Sequence, residues 1–325
     1  MMKRRTLLAT PIALPLALPS GARAQQWPSH TIRMIVPYAP GATGDIGGRL
    51  YGEELSKSLG QSVVIDNKTG AGGTIAMAEL ARSPADGYTL SVVAQGTLIY
   101  NLGLYKNPGY DPFKDMVLLA VNFSVANVMI LHPSNPAKTV ADVVEQARAK
   151  NGEFTYASGG IGTSHHMSGV LLEMRTGVKM THVPYRATPA GIQAVVNGEV
   201  AMGMFNTPTV VGLIKSGKLK AIAVTSERRQ ELFPGVPTMM ESGIKDFVVD
   251  TWLGFSAPIG LPQPLVTRLN AEFNRITDLP EMRKKFLEQG ISAWPPRTPE
   301  QALKFLREDS DLWLPIIKAS GATAE

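Results

Sequence analysis

The sequence predicts an α/β protein folded as two lobes around a ligand cleft. Short apolar runs alternate with helix-like segments almost to the end of the chain, the pattern of parallel sheets covered by helices. Glycine-rich loops at 37–44, 67–73 and 158–164 each follow a strand-like run and precede a helix-like one. Such loops gather at the carboxyl ends of strands, where α/β sheets bind ligands. About 300 residues remain once a leader is removed, more than a single core organises.

The leader comes first. Residues 1–5 (MMKRR) are basic, residues 6–18 are apolar and proline-broken, and Ala22-Arg23-Ala24 is a small-x-small site. Together these read as a signal peptide over 1–24, cleaved after Ala24. Its apolar part is too short to span a bilayer. Arg4 and Arg5 fit a twin-arginine signal as loosely as a general secretory one. The chain has no cysteine, which removes disulfides and thiol chemistry from consideration. Its formal charge of +5 falls to about +1 without Lys3, Arg4, Arg5 and Arg23, too little for a nucleic-acid or membrane-surface partner.

Residues 32–36 (IRMIV) read as a buried strand, followed by a Pro/Gly turn and a helix opening at Asp45. Next come a strand at 63–66, a helix near 74–81 and a strand at 88–93. Residues 117–131 read as long β structure interrupted at Asn122 and Asn127. Thr139 caps a helix to about 150, with Asp142 in its first turn. Strands at 154–157, 180–183, 200–205 and 219–225 follow, with helices to about 175 and over 189–197. The chain returns through 251–257 and ends in helices near 262–277, 280–288 and 298–319.

The first loop admits two owners. Gly41, Gly44 and Gly47 have the spacing of a short-chain dehydrogenase turn, Asp66 lies where a ribose-binding acid is expected, and Tyr110 and Lys114 form a Tyr-x-x-x-Lys pair. Against an NAD(P)-dependent dehydrogenase, Pro37 and Pro40 widen the turn and Pro112 breaks the helical turn the pair needs. A hydrolase reading of Ser164 beside His165 and His166 lacks a Gly-x-Ser-x-Gly elbow. Adjacent histidines on a helix point about 100° apart, so no metal site is expected there.

The motifs resemble the Bug receptors, the extracytoplasmic solute-binding components of tripartite tricarboxylate transporters. The match runs in order through PYAPGATGDIGGR at 37–49, NKTGAGG at 67–73, ADGYTL at 85–90 and ASGGIGTSHH at 157–166. It continues through VPY at 183–185, IKSGKLKAIAVTS at 214–226, VPT at 236–238 and WLGFSAP at 252–258. The resemblance implies a type II-like, Venus-flytrap periplasmic-binding fold. Lobe 1 is then 25–122 with 250–325 and lobe 2 is 123–249, the chain crossing near 121–127 and 247–251. It implies periplasmic capture of a small carboxylate and delivery to membrane permease subunits, by a monomer without cofactor, metal or catalysis. A sensor feeding a signalling partner is the alternative. Departures are Ala42 for glycine, Arg186-Ala187 for Lys-Gly, and Asn206 at a position that often carries Asp.

The expected contacts follow. Amides from Ala42 through Thr43 and Gly44 to Asp45 cradle a carboxylate at a helix N-terminus, with the Thr43 hydroxyl beside it and Asp45 as N-cap. Ser158, Gly162, Thr163, Ser164 and His166 hold the other end from lobe 2. Tyr38, Tyr185 and Asn206 line the crevice, and Asn67 and Thr97 close its floor. Trp252 is assigned to the core or the crossing between lobes.

Overall fold

The computed structural model describes residues 27–324; the signal peptide and its cleavage site lie outside them. The described chain begins with β1 (Ile32–Val36), α1 (Thr43–Leu59), β2 (Val63–Asn67), α2 (Thr74–Arg82) and β3 (Thr89–Ala94). A π-helical turn, Gly96–Tyr100, then runs into α3 (Asn101–Leu104). The long strand β4 (Met116–Leu131) is followed by α4 (Val140–Lys150), β5 (Thr155–Ser158), α5 (Ser164–Thr176) and β6 (Thr181–Pro184). After α6 (Thr188–Val196), β7 (Met202–Asn206), α7 (Thr207–Lys215) and β8 (Lys220–Val224), the chain returns in β9 (Asp250–Pro258). It closes with α8 (Gln263–Asp278), α9 (Pro280–Gln289), β10 (Ser292–Ala293) and α10 (Pro299–Ser320). Among the described residues no helix is long and apolar enough to cross a membrane.

Strand β4 organises both halves. From Met116 to Ala126 it pairs antiparallel with β9, and at Phe123 and Ser124 with β10. From Asn127 to Leu131 it pairs instead with β7 on one side and β8 on the other. One sheet therefore runs β2-β1-β3-β9-β4-β10 and the other β8-β4-β7-β5-β6, joined through one continuous strand. The strand runs on through Asn122 and Asn127, but its register with β9 shifts at Asn122, between Val121 and Phe123, and at Asn127 its pairing passes from β9 to β7. Both amides are buried within the strand and bonded sideways, Asn122 to Thr277 at 2.9 Å and Asn127 to Ser168 at 2.8 Å. The Asn122 amide nitrogen also donates to Asn274 at 3.3 Å, while its Oδ1 is buried without a hydrogen-bond partner among the described residues.

The first helix is held by close packing. Its glycines fit its own neighbours: a Cβ on Gly44 would overlap the Tyr38 ring, one on Gly47 would lie 2.6 Å from Phe123, and one on Gly48 3.0 Å from Val36. Beneath them Phe255 stacks on Phe273 with centroids 4.0 Å apart, and Tyr51 leans on Phe255 at 4.6 Å with its ring tilted by 54°. The spacing that imitates a dinucleotide turn is thus a helix–sheet contact. Asp66 pairs with Arg33, Tyr110 donates to the Thr97 carbonyl, and Lys114 pairs with Asp111. Helix α1 begins at Thr43 with Ala42 as N-cap, two residues before the expected start. Asp45 sits inside the first turn and reaches back to the Gly41 N–H at 2.9 Å, as an acidic third residue of a helix does.

The centre of the first sheet tolerates no added atom. A Cβ on Gly254 would overlap the Ala120 carbonyl, where the β4–β9 register shifts. Gly254→Ala should cost about 2–4 kcal/mol, read as a lowered midpoint in denaturant unfolding; an unchanged midpoint would contradict this packing.

Candidate ligand cleft

Four helices point their N-termini at one place. Ala42 caps α1, Thr163 caps α5, Ala187 caps α6 and Asn206 caps α7. The first-turn N–H groups of each helix lack an intrahelical partner by position, and each end carries about half a positive charge. Between them lies an inner cavity of about 40 Å³. One wall is Tyr38 with Ala42, Thr43 and Gly44; the other is Gly162, Thr163 and Ser164 with Asn206. An outer groove of about 520 Å³ continues past Tyr38 and Thr163 to Tyr185 and Arg186.

The walls touch. Thr43 Oγ1 donates to Asn206 Oδ1 at 3.2 Å, joining the two sheets across the cavity. A Cβ on Gly96 would lie 2.5 Å from the Gly162 carbonyl, and one on Gly162 2.5 Å from Asn101 Oδ1. Backbone therefore meets the opposite side at van der Waals distance, with glycine the residue that permits it.

Asn206 is fully engaged. Its Oδ1 accepts from Thr43 and from His165 Nε2 at 3.1 Å, while Nδ2 donates to Asn127 at 2.6 Å and Ser164 at 3.4 Å. His165 Nδ1 in turn accepts the Gly159 N–H at 3.2 Å. That bond leaves the proton on Nε2 and fixes the neutral tautomer. Burial pushes the His165 pKa down to about 4 despite its Asn206 bond. The inner cavity, which Leu253 and Ala94 line together with the polar groups, is free of formal charge among the described residues that line it. The Thr251 hydroxyl also lines it and has no hydrogen-bond partner among the described residues.

Several expected contacts lie elsewhere. Asp45 is behind the wall, held by Gly41, Arg49 and Asn67. Asn67 also donates to the Tyr38 carbonyl at 2.9 Å and so shapes the loop from outside. Thr97 bonds back to Ala94, donating to its carbonyl and accepting its N–H, both at 3.0 Å. The Thr163 hydroxyl caps α5 and donates to Gly160 at 2.7 Å. Ser158 is turned away from the cavity, 2.6 Å from His182 Nε2. His166 faces away too, its ring stacked on His182 at 4.3 Å. Ser164 bonds asparagines and not a histidine base.

The sequence reading missed His165, Thr188, Thr251, Leu253, Ala94 and Gly96, all of which line the inner cavity. A signal for two of them was present. Side chains alternate across a strand, so placing Trp252 in the core turns Thr251 and Leu253 to the cleft. Trp252 is buried and donates to Asp309 at 2.7 Å. Among the described residues no group of three or more His, Cys, Asp or Glu is placed to hold a metal ion.

Residues 48–322 match the family model described as the tripartite tricarboxylate transporter family receptor. The chain is 32% identical over 300 residues to the protein BugT of Bordetella pertussis, covering 92% of each chain. It superposes on a protein of R. palustris, Rpa4515, solved with adipate, with a TM-score of 0.88 at 30% identity, covering 91% of this chain and 99% of that one. It also superposes on MatC of Rhodopseudomonas palustris, solved with malate, with a TM-score of 0.85 at 30% identity, covering 90% and 100%.

Two buried imidazoles, His165 and His166, and the half-buried His182 make stability depend on pH. Burial lowers His165 and His166 to about 4, and burial with the adjacent His166 lowers His182 to about 3. Unfolded imidazoles titrate near 6.5, so between about 4 and 6.5 the unfolded chain binds more protons than the folded one. Stability is complete above that window and falls as pH drops through it, by at most about 1.4 kcal/mol per pH unit per imidazole. Thermal unfolding from pH 7.5 to 4.5 should show the fall, and His166→Phe should make it shallower while His165 and His182 still contribute; a flat wild-type profile would contradict the burial.

Proposed function

This chain belongs to the tripartite tricarboxylate transporter receptor family, and from that premise we propose that it captures a small organic carboxylate in the periplasm for a membrane permease. The family is one of solute-binding receptors, and its relatives include a solved periplasmic binding protein. The observation that carries the reading is the meeting of four helix N-termini on a cavity lined, among the described residues, by no charged side chain. An anion placed there gains oriented N–H groups and dipole ends without forming a tight ion pair. Such binding is strong enough to hold a carboxylate and weak enough to release it.

In this reading a carboxylate oxygen meets the amides at Thr43 and Gly44 from lobe 1 and those at Ser164 and His165 from lobe 2. Ser164, Asn206 and Thr251 supply side-chain partners. The lobes are 25–122 with 250–325, and 123–249, and they turn about the crossing strands β4 and β9. The contact of Thr43 with Asn206 makes the arrangement a shut one, reopened by rotation about those strands. The chain acts as a monomer, without catalysis, after export and cleavage at Ala24.

A thermal-shift screen of carboxylates, with NADH and NADPH included, tests the reading. A true ligand at a hundredfold excess over its Kd should stabilise the protein by about 2.7 kcal/mol, several degrees in Tm; stabilisation by a nicotinamide cofactor alone would sink it. The closure step has its own test. Gly96→Ala places a methyl against the Gly162 carbonyl, so carboxylate affinity should fall at least about tenfold while Tm without ligand stays near wild type. Equal affinity would show that the two loops need not meet.

A further inference from the structure

We propose that Asn101 holds the empty cleft open: shutting the lobes strands its side-chain carbonyl without a hydrogen bond, and a bound solute has to supply what that costs. The inference rests on the two-lobe receptor reading and adds how the same site is regulated.

Asn101 follows the π-helical turn and is wholly buried. Its Nδ2 donates to the Gly72 carbonyl at 3.0 Å and to the Tyr110 hydroxyl at 3.3 Å, and Tyr110 gives its own proton to the Thr97 carbonyl. These partners all belong to lobe 1. Its Oδ1 differs: it is buried and accepts no hydrogen bond among the described residues. Turning the amide over gives no relief, since the oxygen would then lie 3.0 Å from the Gly72 carbonyl.

What covers the oxygen comes from lobe 2. The Gly162 backbone sits against it, so close that a Cβ there would be 2.5 Å away. Beside it the Ile161 carbonyl lies 2.9 Å from where a Gly72 Cβ would be. The loop therefore brings a Cα–H and a carbonyl, and neither replaces an N–H or O–H donor. The Tyr105 hydroxyl of lobe 1 is also near Gly72 but makes no bond to Asn101. With the lobes apart, water meets the Asn101 carbonyl. Closure removes that water and puts no donor in its place.

Other unpartnered buried atoms are indifferent to this motion. Those of Trp27, Asn122 and Arg297 lie among lobe 1 residues, and that of His166 lies beside His182 in lobe 2. Their cost falls on folding. Thr251 borders the inner cavity, where a solute can reach it, but Asn101 lines neither that cavity nor the outer groove. A solute bound there cannot satisfy it.

Two contacts across the cleft thus oppose each other. Thr43 gains a hydrogen bond to Asn206 on closing, whereas Asn101 loses one to water. A buried acceptor left unpaired shifts an equilibrium by roughly 5- to 150-fold. That keeps an empty receptor open while a solute held by four helix ends shuts it.

Three variants separate this role from a structural one. N101A and N101L remove the carbonyl in two sizes, and N101D puts a carboxylate in its place. All of them forfeit the Nδ2 bonds within lobe 1, so all should melt at a lower temperature. The readouts between lobes should divide them. In small-angle scattering without ligand, the wild type should be more extended than the shut arrangement, and N101A and N101L should contract towards it while N101D does not. In calorimetry with adipate and with malate, affinity should rise about tenfold in N101A and N101L and fall at least about tenfold in N101D, whose charge closure would desolvate. An empty wild type that already scatters as shut overturns the inference and leaves the receptor reading intact. So does a folded N101A or N101L that neither contracts nor binds more tightly. If no carboxylate binds the wild type, the receptor reading falls, and scattering of the empty protein alone decides whether Asn101 opposes closure.

Discussion

The hydrogen bond from Thr43 to Asn206 exists only if two helix ends from different sheets arrive within 3.2 Å of each other. Much of the surrounding architecture bears on that distance. On one side the glycine face of α1 lies directly on β1, β3 and Phe123, so the helix cannot ride up or tilt without emptying a close-packed contact. On the other, Asn206 is held through His165, Asn127 and Ser164, which come from α5 and β4. A side chain with every donor and acceptor occupied has one orientation, and a buried amide in one orientation is a rigid fixture.

The absence of charged side chains from the inner cavity follows from the same constraint. A lone carboxylate or ammonium there, with no ligand present, would be a desolvated ion between apposed walls and would hold them apart. Neutral groups let the walls touch. The field needed for an anion comes from backbone dipoles, which are part of the helices and add no ion to desolvate. Asp45 shows the alternative use of an acid: placed behind the wall with Arg49 and Asn67, it stiffens the loop.

Most of the fold was legible in the chain because strand and helix periods differ and glycine loops punctuate them. The three C-terminal helices and the Thr139 cap fall where their residues place them, the cap forming a reciprocal pair with Asp142. Asn122 and Asn127 do mark changes in the ladder, a register shift with β9 and the passage to β7, yet the strand continues through both because each amide finds a sideways partner, Thr277 and Ser168, that is distant in sequence. The cavity was legible down to its loops but not to the choice between neighbours. His165 and His166 look equivalent as letters; the turn of α5 sends one towards Asn206 and the other onto His182. Gly44 and Gly47 read as space for a ligand, whereas Tyr38 and Phe123 occupy that space.

Strand β4 is sixteen residues long and unbroken, and β9 lies beside it up to the point where the sheets change over. At about 3.4 Å per residue it runs some 50 Å, so the two halves hang on one shared beam instead of a tether. A flexible tether would let each half explore a volume, and docking would then lose that freedom. A hydrogen-bonded beam leaves only bending and twisting. The facing walls are thus held at a high effective concentration before any solute arrives, and shutting the cleft sacrifices little entropy.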